Sequence, residues 1–482
     1  MPQHGRYRKV QTDHLTGIVI LVAAFLVFGV FLFALEATNT TLTDPTTRSF
    51  TMGETTFLYS WQAPPVFAVV VAIIAAAGIV TSFVGLELRD VNTARRSHDT
   101  ARSKLSPWVL MNQTAGAFQG EVTITVLIPA HNEEQLVGAT IDSLMTQDRL
   151  PDRVIVVADN CTDGTVAIAR QRGVEVIESV DNHDRKAGAL NQALATILPS
   201  LRENDTVMVM DADTEIRQGF LSAAALFFTR DRGLSAIGAL FYGEERPGLL
   251  ALLQRNEYIR YSREIRRRHG RVYVLTGTAS IFRSTALKTV AAERGNQLPG
   301  KPGDVYDTAA LTEDNELTIA LKSLGALMRS PEECRVETEV MPTMKMLWRQ
   351  RLRWQRGAIE NLAAYGLTST TARYWSQQLG LGYSVFALWT YFLLIFLQIV
   401  STAVWIWYPF WILLAVVFIG EKVWTVRKGD WKSKLLAATL IPELMYDSYL
   451  DIIFVKGIFD MALRREAHWG HQLEAKKAAI SA

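Results

Sequence analysis

Cysteine is almost absent: Cys161 and Cys334 are the only two in 482 residues. That is too few for a disulfide framework and matches no metal-ligand spacing, so both are expected to be reduced. Neither sign of charge is in excess. Fifty Lys and Arg against 48 Asp and Glu leave a net +2, and no global basicity argues for a nucleic-acid partner. A glycine-rich phosphate loop is also lacking, which excludes both the dinucleotide fingerprint and the P-loop. What the chain has instead is apolar residue, 49% of the total, with Lys and Arg clustered beside the apolar runs as membrane topology requires.

Residues 15–35 form an uncharged apolar run of roughly the twenty residues needed to cross a bilayer. The run is too long for a signal-peptide core and has no small-residue cleavage site, so a retained first span is expected. A second span, 64–86, follows a Thr-rich loop at 36–63. Arg6, Arg8 and Lys9 precede the first span and Arg89, Arg95, Arg96, Arg102 and Lys104 follow the second, while the loop between carries only Arg48. The positive-inside rule then places residues 1–14 and the linker 87–120 in the cytoplasm. Two further spans are expected at 379–404 and 405–424. Trp405, Trp407, Tyr408 and Trp411 near their junction read as an interface belt or as the lining of a sugar channel. The apolar stretch 435–459 is interrupted by Pro442, Glu443, Asp447, Asp451 and Lys456, which favours an interfacial or partly re-entrant segment over a full span. The tail 460–482 is expected in the cytoplasm, and the whole is expected to be an integral plasma (inner) membrane protein.

Between 121 and 341 the pattern changes to short β-branched runs alternating with helical periodicity, which predicts a parallel sheet flanked by helices. Strands are expected at 123–128, 154–157, 174–177 and 206–210, and helices at 133–146, 163–171 and 187–197. Ligands of such open sheets sit at the carboxyl ends of strands, where this sequence puts its polar clusters. These are Pro129 to Glu133, Ala158-Asp159-Asn160 and Asp211-Ala212-Asp213. Each alone is also ordinary turn or cap chemistry; three together favour a nucleotide site.

Two carboxylates around one small residue, as in Asp211-Ala212-Asp213, suit a hard divalent cation completed by substrate phosphates. Such a site fits departure of a nucleoside diphosphate. Lys186 lies at a helix start, as a phosphate-proximal cation or a solvated side chain. The small residues of Thr276-Gly277-Thr278-Ala279-Ser280 permit close approach of a substrate or backbone. Arg266-Arg267-Arg268 suits anionic lipid headgroups or a solvated helix face. Thr312-Glu313-Asp314 opens an amphipathic helix over 315–324 and is compatible with capping alone. Within Gln350-Arg351-Leu352-Arg353-Trp354, the guanidinium groups of Arg351 and Arg353, with Arg356, offer forks for a diphosphate, and Trp354 offers a stacking face. An interfacial helix over 342–378 would look the same.

In this order, these motifs resemble the family 2 inverting glycosyltransferases of GT-A fold, over about half the chain. The likeness is strongest to the membrane-embedded processive synthases of cellulose, hyaluronan, chitin and poly-N-acetylglucosamine. The resemblance implies a Rossmann-like α/β GT-A catalytic domain facing the cytoplasm, joined to a helical transmembrane region. It implies that Asn132, Glu133 and Asp159 contact the nucleoside, Lys186 and Asp211 the phosphates, and Asp211 and Asp213 a Mg2+ or Mn2+ ion. It further implies that Thr276, Gly277 and Thr278 cradle the acceptor and that Asp314 is the catalytic base. Gln350, Arg353 and Trp354 match the Gln-x-x-Arg-Trp signature and are implied at the donor, with Arg353 on the leaving diphosphate and Trp354 also under the acceptor sugar. The implied partners are a UDP-sugar donor, a growing polysaccharide or oligosaccharide acceptor and membrane lipids. One departure is visible: Ala158 stands where many relatives carry the first of two acids. His468-Trp469-Gly470 loosely resembles a nucleotide-closing loop of the hyaluronan synthases. Transfer of one sugar to a lipid carrier is the alternative, against which the Gln-x-x-Arg-Trp motif argues. A scaffold that had lost catalysis would show erosion of Asp211, Asp213 or Asp314, and none is missing.

Overall fold

The computed structural model describes residues 47–52, 55–60, 103–113, 121–267, 270–401, 404–407 and 409–465. They fall into two compact units, one within 91–371 and the other from 11–90 with 372–466. The expected spans 15–35 and 64–86 and the Trp469-Gly470 tail lie outside the described residues. The stretch 36–63, expected as a polar loop, contains an antiparallel hairpin of β1 (Thr47–Met52) and β2 (Thr55–Ser60). Its Thr, Phe and Tyr are strand formers, which the polar composition concealed.

Within 91–371, a short helix α1 (Pro107–Gln113) precedes the alternating region. There, β3 (Thr123–Ala130), β4 (Arg153–Ala158), β5 (Glu175–Glu178) and β6 (Asp205–Met210) are parallel neighbours in the order β6-β3-β4-β5. Their connections carry α2 (Val137–Met145), α3 (Thr165–Gln171) and α4 (Arg185–Ile197). The expected strands are displaced by at most two residues at either end. Helix α2 starts four residues later than its periodicity suggests. Asn132 there has φ +57, and the carbonyl of Glu133 accepts the amides of Leu136 and Val137, so 133–136 is a turn and not helix.

After β6 the chain makes β7 (Thr214–Ile216), α5 (Phe220–Arg230), β8 (Leu234–Gly238), β9 (Leu240–Gly243) and α6 (Leu249–Arg267). Then follow β10 (Ala279–Arg283), α7 (Ser284–Glu293), α8 (Glu313–Ser323), β11 (Leu327–Arg329), β12 (Arg335–Thr338) and α9 (Met344–Tyr365). The seven-stranded sheet runs β11-β8-β10-β6-β3-β4-β5, and β7-β12-β9 forms a smaller sheet. Strand β10 is antiparallel to β6, with Ala279 opposite Met210. Its beginning therefore lies at the carboxyl end of β6, which brings the segment before β10 to the strand ends that carry the polar clusters.

Alternation along the strands sends successive side chains to opposite faces. Leu127, Val157 and Val207 join α4, α7 and α8 in one apolar cluster, whereas Ile128, Val156 and Met208 join α2 and α5 in another. Burial on both faces explains why these strands read as continuous apolar runs. The first cluster is crossed by one charged pair. Arg294 donates to Glu316 at 2.5 and 2.8 Å with both side chains buried, and the Tyr365 hydroxyl donates to Glu316 at 2.5 Å. Losing either charged partner would leave the other buried and uncompensated, at a cost of about 3–5 kcal/mol. The unit thus runs through α9 to 371, rather than ending at 341. Gly357 of α9 abuts Thr312 so closely that an added Cβ would lie 2.5 Å from the Thr312 Oγ1.

The second unit contains α10 (Ala372–Ser401), β13 (Val404–Trp407), α11 (Pro409–Thr425), α12 (Trp431–Thr439) and α13 (Ile441–Ala462). The segment expected to open a span at 405 begins with β13, which adds in parallel to β2. Val-Trp-Ile-Trp is rich in strand formers, and the hairpin supplies an edge for it. The interrupted stretch 435–459 is helical on both sides of Leu440, whose φ of +57, followed by Pro442, separates α12 from α13. Of its charges, Glu443, Asp447 and Lys456 are paired, whereas Asp451 keeps a buried carboxylate oxygen without a partner. Lys422 lies 3.5 Å from Glu443 and 3.1 Å from Asp447, one turn apart on α13, and Lys456 bonds Asp460 four residues on. Among the described residues, no helix is long and apolar enough to cross a membrane.

Candidate active site

The carboxyl ends of β3, β4 and β6 and the segment before β10 meet at one place. The Asp211 amide donates to the carbonyls of Gly277 and Thr278 at 3.1 and 3.3 Å, tying the two segments together. A Cβ on Gly277 would come within 3.1 Å of both Asp211 Oδ2 and Lys186 Nζ, so a larger residue there would push these two side-chain ends aside by a few tenths of an ångström. Lys186, in the first turn of α4, donates to Asp211 Oδ1 at 2.5 Å and lies 3.0 Å from Glu313 Oε1.

Asp314 faces the same point from the start of α8. Its Oδ2 accepts the Gly277 amide at 3.0 Å and its Oδ1 accepts the Asn315 amide at 2.7 Å. Burial and the adjacent Glu313 carboxylate push its pKa up to about 6, although Lys186 and the two amides oppose the shift. Glu313 moves the other way: burial would raise it, but Lys186 and Arg353 together hold it below the usual range. Two neighbouring carboxylates are thereby pushed apart, one ionised and one able to exchange a proton near neutrality, which is a pattern of acid–base sites. The cleft, partly open to solvent, has Lys186, Thr276, Gly277, Tyr306, Glu313 and Asp314 among its lining.

Thr312 occupies the cap position of α8 but makes no side-chain cap bond. Asn361 of α9 donates to its carbonyl and its hydroxyl, and to Asn315 Oδ1, each at 3.1 Å. The start of α8 is therefore held by α9, and Asn361, which no sequence motif marks, is a positioning residue for Asp314.

Asp213 is raised to about 6, chiefly by burial and then by Asp211, and Glu133 to about 7 by burial, Asp213 and Asp211. Glu339 adds to both. Lys186 offsets Asp211, but Asp213 and Glu133 remain crowded carboxylates that a hard cation would relieve, so Asp211 and Asp213 fit a divalent ion. No group of three or more His, Cys, Asp or Glu among the described residues converges on one point. Further ligands would have to come from substrate phosphates or water.

The other expected residues are divided. Asn132 Oδ1 accepts the Thr162 amide at 2.8 Å, joining the β3 and β4 ends. Asp159 is buried, and its Oδ1 accepts from Ser179, Asn182 and Asn160 at 2.8, 2.7 and 3.0 Å, so it organises the strand-end loops. Thr276 and Thr278 bond each other through their hydroxyls at 2.7 Å. Gln350, Arg353 and Trp354 share one face of α9 at i, i+3, i+4 spacing, and Gln350 Oε1 is a buried acceptor without a hydrogen-bond partner. Arg351 and Arg356 do not join Arg353 as diphosphate forks. Arg351 is buried, bonds Glu257 at 2.9 Å and lies 4.3 Å over the Trp354 ring, while Arg356 bonds Glu360 one turn on. Helical periodicity turns these two side chains to partners of their own.

Together the mixed sheet and this site define a group-transfer enzyme with a GT-A type α/β fold. Residues 121–357 match the family model described as "Glycosyltransferase like family 2", and this span belongs to that family. A poly-beta-1,6-N-acetyl-D-glucosamine synthase of Staphylococcus aureus (strain COL) is 24% identical over 281 residues, covering 57% of this chain and 64% of that protein. The probable glycosyltransferase YdaM of Bacillus subtilis (strain 168) is 27% identical over 322 residues, covering 62% and 70%. Among solved structures, the mannosyltransferase PcManGT from Pyrobaculum calidifontis, in complex with GDP-Man and Mn2+, aligns at 16% identity with a TM-score of 0.47, over 81% of this chain and 99% of that one.

Proposed function

We propose that the protein is an inverting, membrane-bound glycosyltransferase that polymerises sugar from a UDP-sugar into a β-linked polysaccharide and exports it. The observation that carries this reading is the Asp314 carboxylate, held on the Gly277 and Asn315 amides beside the Lys186–Asp211 pair. An acceptor hydroxyl at Asp314 would give up its proton to the carboxylate as its oxygen bonds the anomeric carbon. The bond from that carbon to the diphosphate oxygen breaks on the opposite side, inverting the centre. Lys186, released from Asp211, and Arg353 would receive the leaving diphosphate, with Asn132, Glu133 and Asp159 assigned to the nucleoside. A Mg2+ or Mn2+ ion on Asp211 and Asp213 would neutralise charge on the departing UDP. Thr276, Gly277, Thr278 and Trp354 are assigned to the acceptor. The relative named for poly-beta-1,6-N-acetyl-D-glucosamine supports a polymeric product and puts UDP-N-acetylglucosamine first among donors to test.

Incubating purified protein with radiolabelled UDP-sugars and Mn2+, then sizing the product, is expected to give a ladder or high polymer, abolished by chelation. A labelled lipid would point to single transfer, and no UDP release from any donor would overturn the enzymatic reading. Placement in the inner membrane with the catalytic domain in the cytoplasm is supported by the Lys and Arg flanking 15–35 and 64–86. Protease added to sealed inside-out vesicles is accordingly expected to cut within 95–104, and protection there would reverse the topology.

A further inference from the structure

The one tyrosine of the cleft has no part in the assignments above. Tyr306 lies in the irregular segment between α7 and α8, yet its backbone is fixed from two sides. Asn191 of α4 accepts the Val305 and Tyr306 amides at 3.1 and 2.9 Å and donates to the Tyr306 carbonyl at 2.9 Å. Arg294, paired with Glu316, donates to the carbonyls of Pro299 and Val305 at 2.8 and 2.6 Å. Two buried polar side chains thus hold a segment without regular structure so that one ring enters the cleft.

That ring is 97% buried, since only 3% of the residue is exposed. It lines the cleft with Lys186, Gly277, Glu313 and Asp314. Both hydrogen bonds of Tyr306 beyond Val305 are made by its backbone, and none is made by its hydroxyl. The hydroxyl itself is not sealed from solvent, so beside Lys186 and Asp314 it is a donor open to a ligand in the cleft. Burial, reinforced by the carboxylates of Glu313, Asp314 and Asp211 against Lys186, holds the phenol far above its usual pKa, so it remains a donor.

We propose that Tyr306 is a substrate-binding residue whose hydroxyl donates a hydrogen bond to an oxygen of the sugar being transferred. The assignment rests on the transferase reading: the sugar must lie between the proton acceptor Asp314 and the diphosphate group at Lys186, and the cleft that Tyr306 lines is bounded by those two residues. Phenylalanine keeps the ring and its packing and removes only this donor.

The test compares wild type and Tyr306→Phe in the full-length protein with Mn2+, measuring affinity for UDP and for UDP-N-acetylglucosamine, kcat/KM and the melting temperature. Expected is an unchanged melting temperature, UDP affinity within about two-fold, and UDP-sugar affinity or kcat/KM lowered about ten-fold, the scale of one hydrogen bond. Equal losses for UDP and UDP-sugar would move the contact to the diphosphate and overturn the proposal, as would no loss for either or a lowered melting temperature with uniform loss. Failure of the underlying reading is separately visible: wild-type protein that neither binds nor cleaves any UDP-sugar in the donor panel overturns both.

Discussion

Asp314→Asn is expected to lower turnover by about a hundred- to ten-thousand-fold, the usual worth of a positioned general base. The carboxylate oxygens accept from Gly277 and Asn315, one bond each. An amide has one acceptor oxygen, so the variant sacrifices one of these bonds, at about 1 kcal/mol, but keeps shape and most of the helix start. UDP and metal binding should be nearly normal. The pH profile separates chemistry from mild structural damage. A base works in its ionised form, and with the Asp314 pKa at about 6 the wild-type kcat/KM should fall as pH drops below that value. Residual activity of the Asn variant should lack this acid limb. A variant within a few-fold of wild type, with the limb intact, would dismiss Asp314 as the base and direct attention to Glu313.

Removing the cation beside it should be almost as damaging. Lys186→Met leaves Asp211, Glu313 and Asp314 without the ammonium that now sits 2.5 Å from the first and 3.0 Å from the second. Stabilisation of charge on the leaving diphosphate is lost, for an expected decrease on the order of a hundred- to a thousand-fold. A second effect has a definite sign. Lys186 pulls the Asp314 pKa down against burial and Glu313, so its loss must raise that pKa further and move the acid limb to higher pH. Stopped UDP-release assays across pH measure both quantities. An unmoved limb together with near-normal turnover would reduce Lys186 to a structural counter-ion of Asp211 and Glu313.

Much of the catalytic unit was determined by the sequence itself. Two-sided burial turns β3, β4 and β6 into short β-branched runs, and these could be placed because the cause of the pattern is local. The ends of those runs located Asn132, Asp159 and Asp211, since open sheets leave their carboxyl ends free for ligands. Lys186, Gly277 and Asp314 were likewise nameable from motifs, but their meeting was not. Only the antiparallel return of β10 beside β6 sets Gly277 against Asp211, and only the packing of α9 on α8 holds the Asp314 turn through Asn361. The same helix decided between equivalent-looking arginines: period and burial gave Arg351 to Glu257 and Arg356 to Glu360. Tyr306 carries no sequence signal at all, because what places its ring in the cleft is a pair of buried side chains 115 and 12 positions away, Asn191 and Arg294. In the second unit the hairpin β1–β2 and its partner β13 were hidden for a related reason. The pairing of β13 with β2 joins residues more than three hundred positions apart, and no local periodicity reports a contact at that range, while the β1–β2 hairpin was masked by its polar composition.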